Sequence, residues 1–184
     1  MEKALFLDRD GIINVNHGYV YKIDDIDFVE GIFHLIKRFV AAGYQPVIVT
    51  NQSGIARGFY SVDEFHAAMA YIQRVFTDNG LPQIPVYFCP HHPDYGADNE
   101  RNCACRKPQP GMLLKAQQDL NLDLTSSVLL GDKSSDIAAA RAANLNRAIL
   151  FDPGSDEINK LTPQQLTHHR TQVECVHAMQ DINP

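Results

Sequence analysis

Residues 4–11 read ALFLDRDG: Ala4, Leu5, Phe6 and Leu7 form an apolar run that stops at Asp8 and continues as Arg9, Asp10 and Gly11. Four apolar residues are too few for a helix face and fit a buried strand that ends on charge. The same pattern recurs downstream. Pro46–Thr50 is β-rich and runs into the polar loop Asn51–Gly58; Val86-Tyr87-Phe88 runs into a cysteine-rich stretch; Val128-Leu129-Leu130 stops at Gly131-Asp132; Ala148–Phe151 forms a fifth run. Helical periodicity fills the intervals. Ile32, Leu35, Ile36, Phe39 and Val40 follow amphipathic spacing up to Gly43, and Ser61 with Glu64 makes a capping box for a helix carrying Phe65, Ala68, Met69, Ile72 and Phe76 to Gly80. Pro110 suits the first position of a helix that buries Leu113, Ala116 and Leu120, and another helix spans about Ser135 to Ala143. Continuously apolar strands alternating with helices predict an α/β fold, a Rossmann-like parallel sheet covered on both faces. Beyond the polar residues 163–170, Val173–Val176 reads as an edge strand and His177–Ile182 as a short helix.

Length and composition set the frame. A chain of 184 residues, 45% hydrophobic and 21% charged, fits one globular domain over residues 1–184. Neither a signal peptide nor a membrane span is expected, so the protein is read as cytoplasmic. A formal charge of −6 argues against nucleic acid or anionic membrane as partner, while leaving room for an anionic small substrate met by local cations. The expected state is a monomer.

Four strands end in polar groups: Asp8-x-Asp10, Thr50-Asn51, the stretch from Cys89 to Lys107, and Asp132. In open α/β sheets the ligand crevice lies at the carboxyl ends of the strands, so these groups are expected on one rim. Asp8 and Asp10, two apart on an extended chain, face the same side. Asp8 and Asp132 offer hard oxygen ligands suited to Mg²⁺. Asp8 has the chemistry of a nucleophile on phosphorus and Asp10 that of its general acid and base. Thr50, Asn51 and Lys107 suit the oxygens of a transferring phosphoryl group. Asp136 taken alone reads first as a turn or helix-cap residue, and second as a further metal carboxylate.

In order, Asp8-Arg9-Asp10-Gly11, Thr50-Asn51-Gln52, Lys107 and Gly131-Asp132-Lys133-Ser134-Ser135-Asp136 resemble the four motifs of the haloacid dehalogenase-like (HAD) phosphatases. Within that superfamily FLDRDGIINVNHGYV, VTNQSGIARG, CPHHP, CACRKPQPGM and GDKSSDI resemble the heptose-bisphosphate phosphatases, which serve lipopolysaccharide precursor synthesis. The resemblance implies a Mg²⁺-dependent phosphatase with no large cap domain, and a sugar bisphosphate as substrate. It makes Asp8 the nucleophile, Asp10 the acid/base, and Thr50 and Lys107 the phosphoryl stabilisers. Mg²⁺ would sit on Asp8, the Asp10 backbone carbonyl and Asp132, with Lys133 beside it. Substrate contacts fall to Asn16, His17, Gly18, Tyr19, Asn51, Gln52, Ser53, Arg106 and Lys133. The rival within the superfamily is a histidinol-phosphate phosphatase; the rival outside it is a phosphosugar-binding module without turnover.

Three of the four cysteines fall within Cys89–Pro108. Cys89-x-His91 and Cys103-x-Cys105 supply four donors, enough for a closed, structural Zn²⁺ site. His91 is preferred to His92 because both arms then share one spacing, and the resemblance places zinc on the same four residues. Such a site would aim Arg106 and Lys107, which follow Cys105 directly. Cys175 reads as an ordinary buried thiol.

Overall fold

The computed structural model describes residues 1–162 and 170–184. Among these residues six strands form one sheet: β1 (Lys3–Leu7), β2 (Tyr44–Asn51), β3 (Val86–Cys89), β4 (Val128–Gly131), β5 (Arg147–Phe151) and β6 (Gln172–Val176), in spatial order β3-β2-β1-β4-β5-β6. Every pairing is parallel. Among the described residues the α-helices are α1 (Ile32–Ala41), α2 (Val62–Asp78), the four-residue α3 (Asp98–Arg101), α4 (Gly111–Leu120) and α5 (Ser134–Ala142).

Strand alternation sends side chains to two cores. Leu5 and Leu7 of β1 join Ile48, Leu130 and Ile149 beneath α1 and α2, whose Ile32, Leu35, Ile36, Phe39, Phe65, Ile72 and Phe76 are fully or almost fully buried. Ala4 and Phe6 join Val47, Val49, Leu129 and Leu150 beneath α4 and α5, through Met112, Leu113, Ala116, Ile137 and Ala140. Both faces are thus covered, which is why the strand sequences carry no polar alternation. None of the described helices is long and apolar enough to cross a membrane.

Chain order reverses direction across the sheet between β1 and β4, leaving a crevice beyond their carboxyl ends. Asp8 follows β1 and Asp132 follows β4, so the fold brings together carboxylates 124 positions apart in the chain.

Several local expectations are corrected. Pro110 stands just before α4: its carbonyl accepts the first helical bond from the Leu114 N–H at 3.0 Å, so Pro110 caps the helix instead of opening it. Leu120 and Cys175 are only half-buried, Cys175 because β6 is an edge strand. Val40 is exposed, outside the stripe that Phe39 closes. His177–Ile182 contains one 3-10 turn, Met179–Asp181, too short for an α-helix. α3, inside the cysteine stretch, has no apolar periodicity to announce it.

Candidate active site

Lys107 organises the crevice. Its side chain is almost fully buried, with Nζ 3.1 Å from Asp8 Oδ1 and 2.5 Å from Asp136 Oδ1, and it donates to the Val49 carbonyl at 2.9 Å. Burial alone would lower the lysine pKa; the carboxylates of Asp136 and Asp8 outweigh it and hold the ammonium above its ordinary range. Burial raises the Asp8 carboxyl to about 6, with Lys107 opposing and Asp136 adding to the rise. Asp132 is pushed up to about 7 by burial and by Asp8. Gly11 makes this crowding possible: a Cβ there would lie 2.2 Å from Asp132 Oδ2, and its φ of +94° is one that glycine adopts freely.

Carboxyl oxygens of Asp8, Asp132 and Asp136 lie within 4.8 Å of one another. Asp132 Oδ1 is buried without a hydrogen-bond partner. Two carboxyls with raised pKa values, one buried and one half-buried, and an orphaned oxygen fit a hard divalent cation, which would relieve both costs. Asp136 serves this centre differently. Besides pairing with Lys107, its Oδ2 accepts the Lys133 backbone N–H at 3.0 Å, capping the start of α5. The cap reading and the site reading of Asp136 are both satisfied by one side chain.

Asp10 points into a separate network. Its Oδ1 accepts from Arg9 Nε and Nη2 (3.1 and 2.7 Å) and from Asn14 Nδ2 (3.0 Å), and its Oδ2 from Gln52 Nε2 (2.9 Å). Gln52 Nε2 also donates to Thr50 Oγ1 at 2.8 Å, and Tyr60 donates to Gln52 Oε1 at 2.6 Å. Burial raises the Tyr60 phenol to about 12, keeping it a donor. Asn51 clamps the Lys107 backbone in both directions, accepting its N–H and donating to its carbonyl, each at 3.0 Å.

A cleft of about 230 Å³ opens over these groups, lined by Asp10, Asn16, Gly18, Tyr19, Asn51, Gln52, Ser53, Tyr60 and Lys133. Beside it lies a cluster of Cys89, His91, Cys103 and Cys105, whose ligand-type atoms also fall within 4.8 Å of one another. Cys105 Sγ is 2.9 Å from Cys89 Sγ and 3.5 Å from His91 Nδ1. Burial and the Cys105 contact drive the Cys89 thiol far up. Burial also opposes ionisation of Cys103, yet hydrogen bonds from His91 and Cys105 prevail and bring it down to about 7. Donors around a tetrahedral zinc with ~2.3 Å bonds stand ~3.7 Å apart, a spacing this cluster nearly has. His92 is turned elsewhere, its Nδ1 accepting the Asp94 N–H at 3.1 Å.

Comparison with known proteins is consistent with this geometry. The HAD-hydrolase-like family model matches residues 104–172. The D-glycero-beta-D-manno-heptose-1,7-bisphosphate 7-phosphatase of Yersinia pestis is 45% identical over 152 residues, 82% of this chain and 81% of that one. The alpha-anomer counterpart of Burkholderia mallei is 47% identical over 150 residues, 81% of this chain and 79% of that one. The chain belongs to the heptose-bisphosphate phosphatase family of HAD-like hydrolases. A crystal structure of D,D-heptose 1.7-bisphosphate phosphatase from B. bronchiseptica, complexed with magnesium and phosphate, matches with TM-score 0.77 and 29% identity over 93% of this chain and 91% of that one.

In this member of the heptose-bisphosphate phosphatases, most residues singled out from sequence converge. His17 does not line the cleft; it is exposed and pairs with Asp27 at 2.8 Å. Arg106 is half-buried, donates to the His91 carbonyl at 3.2 Å, and faces a neighbouring groove with Pro93, Cys103 and Gln109. Asp8 and Asp10 sit at one rim but hold different partners, because β1 ends at Leu7 and the chain bends at Arg9 between them. Sequence reading missed Arg9, Asn14 and Tyr60. The signal for Arg9 was present, since a charged residue between two motif aspartates must either reach solvent or pair, and this one is 1% exposed. Asn14 and Tyr60 carried none.

Proposed function

We propose that the chain removes the C7 phosphate of D-glycero-D-manno-heptose 1,7-bisphosphate, leaving heptose 1-phosphate. The observation that carries the mechanism is the Lys107 ammonium seated between Asp8 and Asp136 at the β1/β4 crevice. Asp8 attacks phosphorus; the bond to the sugar oxygen breaks as Asp10 delivers a proton to it. Asp10 then takes a proton from water, which attacks the aspartyl phosphate, frees the Asp8 carboxylate and releases inorganic phosphate. Lys107 and Thr50 hold the phosphoryl oxygens as charge redistributes. Asp8, Asp132 and the Asp10 carbonyl would hold Mg²⁺, which would supply charge neutralisation for the carboxylates and the phosphate together. Arg9, Asn14 and Gln52 fix the Asp10 carboxylate. Cys89, His91, Cys103 and Cys105 would hold Zn²⁺, which would supply an anchor for the loop that presents Arg106 and Lys107.

Relatives named for each anomer match this chain about equally, so both belong in the test. Pure protein with Mg²⁺ is assayed on the α and β heptose bisphosphates, histidinol phosphate and p-nitrophenyl phosphate. One heptose bisphosphate should give the highest kcat/KM, with the C1 phosphate retained. Preference for histidinol phosphate would replace the substrate reading, and absence of phosphate release would reduce the chain to a binding module.

A further inference from the structure

Tyr19 lines the catalytic cleft in a conformation that a bulky residue rarely adopts, with φ at +49°. What holds it there comes from another loop. Arg57 Nη1 donates to the Tyr19 hydroxyl, and the guanidinium lies 5.5 Å from the Tyr19 ring centroid, 4.8 Å from Phe59 and 5.5 Å from Tyr95. Tyr19 and Phe59 also meet edge to face at 4.6 Å. Three separate segments therefore converge on one cation: the turn after β1, the loop after β2, and the cysteine loop after β3. No carboxylate ion pair is found at Arg57 among the described residues, and its Nε is buried without a partner. The three rings nonetheless remain 43%, 46% and 43% exposed for Tyr19, Phe59 and Tyr95. Apolar rings left open beside a cleft are available to cover the carbon face of a ligand.

We infer that Arg57 is a positioning residue for substrate selection, fixing the Tyr19 ring as the wall on which the sugar of a sugar phosphate lies. This deepens the proposed activity and rests on it. Cation–π contacts together with a hydrogen bond to the phenol give Arg57 enough purchase to hold a strained Tyr19. A small aryl phosphate fills the phosphoryl pocket and never reaches that wall. Losing the wall should therefore act on KM for the sugar substrate, with little change in kcat, because neither Arg57 nor Tyr19 takes part in the bond-making steps proposed above.

The test compares kcat/KM for heptose bisphosphate with that for p-nitrophenyl phosphate in wild type, Arg57→Ala and Arg57→Lys. Arg57→Ala should lower the ratio at least tenfold, through KM, and Arg57→Lys should fall between, keeping a cation but not the fork. On the bisphosphate, combining Arg57→Ala with Tyr19→Ala should cost no more than the worse single change, since one acts through the other. Should Arg57→Ala fail to fold, Arg57→Lys and Tyr19→Phe carry the same comparison. Equal losses on both substrates, additive losses in the double variant, or an unaltered ratio would each overturn the inference. If wild type prefers a different sugar phosphate, the substrate reading fails separately and the ratio is measured on that sugar. A wild type with no preference for any sugar phosphate over the aryl ester overturns the inference as well.

Discussion

At the residue scale, the ammonium of Lys107 decides which side chains matter. It is buried beside two carboxylates, and each one removed takes away one of its two counter-ions in a place water does not reach. Asp8→Asn should abolish turnover with the fold retained, since the amide keeps the shape but cannot form the aspartyl phosphate; single-turnover assays and thermal melts read the two halves separately. Asp136→Ala should differ, costing about 3–5 kcal/mol of stability in denaturant titration as well as activity, because it strips Lys107 of a partner and α5 of its cap. The raised carboxyls carry a pH signature. Asp8 and Asp132 move from 3.8 to about 6 and about 7, so the folded, metal-free protein binds more protons than the unfolded chain between those values. Their contribution is full below pH about 4 and is lost as pH rises through about 7, whereas Lys107 stays charged throughout and adds no slope. Tm of the metal-free protein should fall across that window, and Mg²⁺ should raise Tm more at pH 8 than at pH 5. A Mg²⁺ effect that is flat with pH would remove these carboxyls from the metal site.

At the scale of elements, loops do the aiming that strands cannot. β3 ends on Cys89, and the chain then runs through α3 and back to Cys103 and Cys105 before presenting Arg106 and Lys107. Asn51, at the end of β2, grips the Lys107 backbone from the other side. Cys103→Ser should lose bound zinc, measured by metal analysis, while far-UV circular dichroism keeps the sheet, which has cores of its own. Its kcat should fall on the order of a hundredfold, the scale set by about an ångström of misplacement, and added Mg²⁺ should not restore it. Retained wild-type turnover without zinc would make the cluster incidental to catalysis.

At the scale of the whole molecule, the sheet order places the site. With β1 central and its neighbours β2 and β4 carrying chain to opposite sides, the crevice falls where Asp8, Thr50 and Asp132 emerge together. Stability and chemistry are then separable, because the cores lie beneath the rim. Phe6 on β1 is fully buried against α4 and α5, and Phe6→Ala should cost about 3–5 kcal/mol in denaturant titration with kcat largely kept in the fraction that stays folded. A large kcat loss in folded Phe6→Ala would show that the second core also tunes the rim.

Much of this was legible in one dimension. Apolar runs of three to five residues alternating with helical spacing determine a covered parallel sheet, because only that arrangement buries such strands on both faces. Polar groups at successive strand ends determine a shared rim, because parallel strands all point the same way, and paired Cys-x-His and Cys-x-Cys arms put four metal-type donors on one loop. Tertiary structure alone decided the partners. Asp136 became a counter-ion to Lys107 because α5 begins directly after β4 at the rim that Lys107 reaches, and Asp10 turned to Arg9, Asn14 and Gln52 because the chain bends at Arg9 once β1 has ended. Arg57 met three rings from three loops, and His17 went outward to Asp27. Periodicity reports which face of an element is buried; it carries no information on which side chains from distant loops arrive at the same point, since that depends on crossover geometry and loop closure in three dimensions.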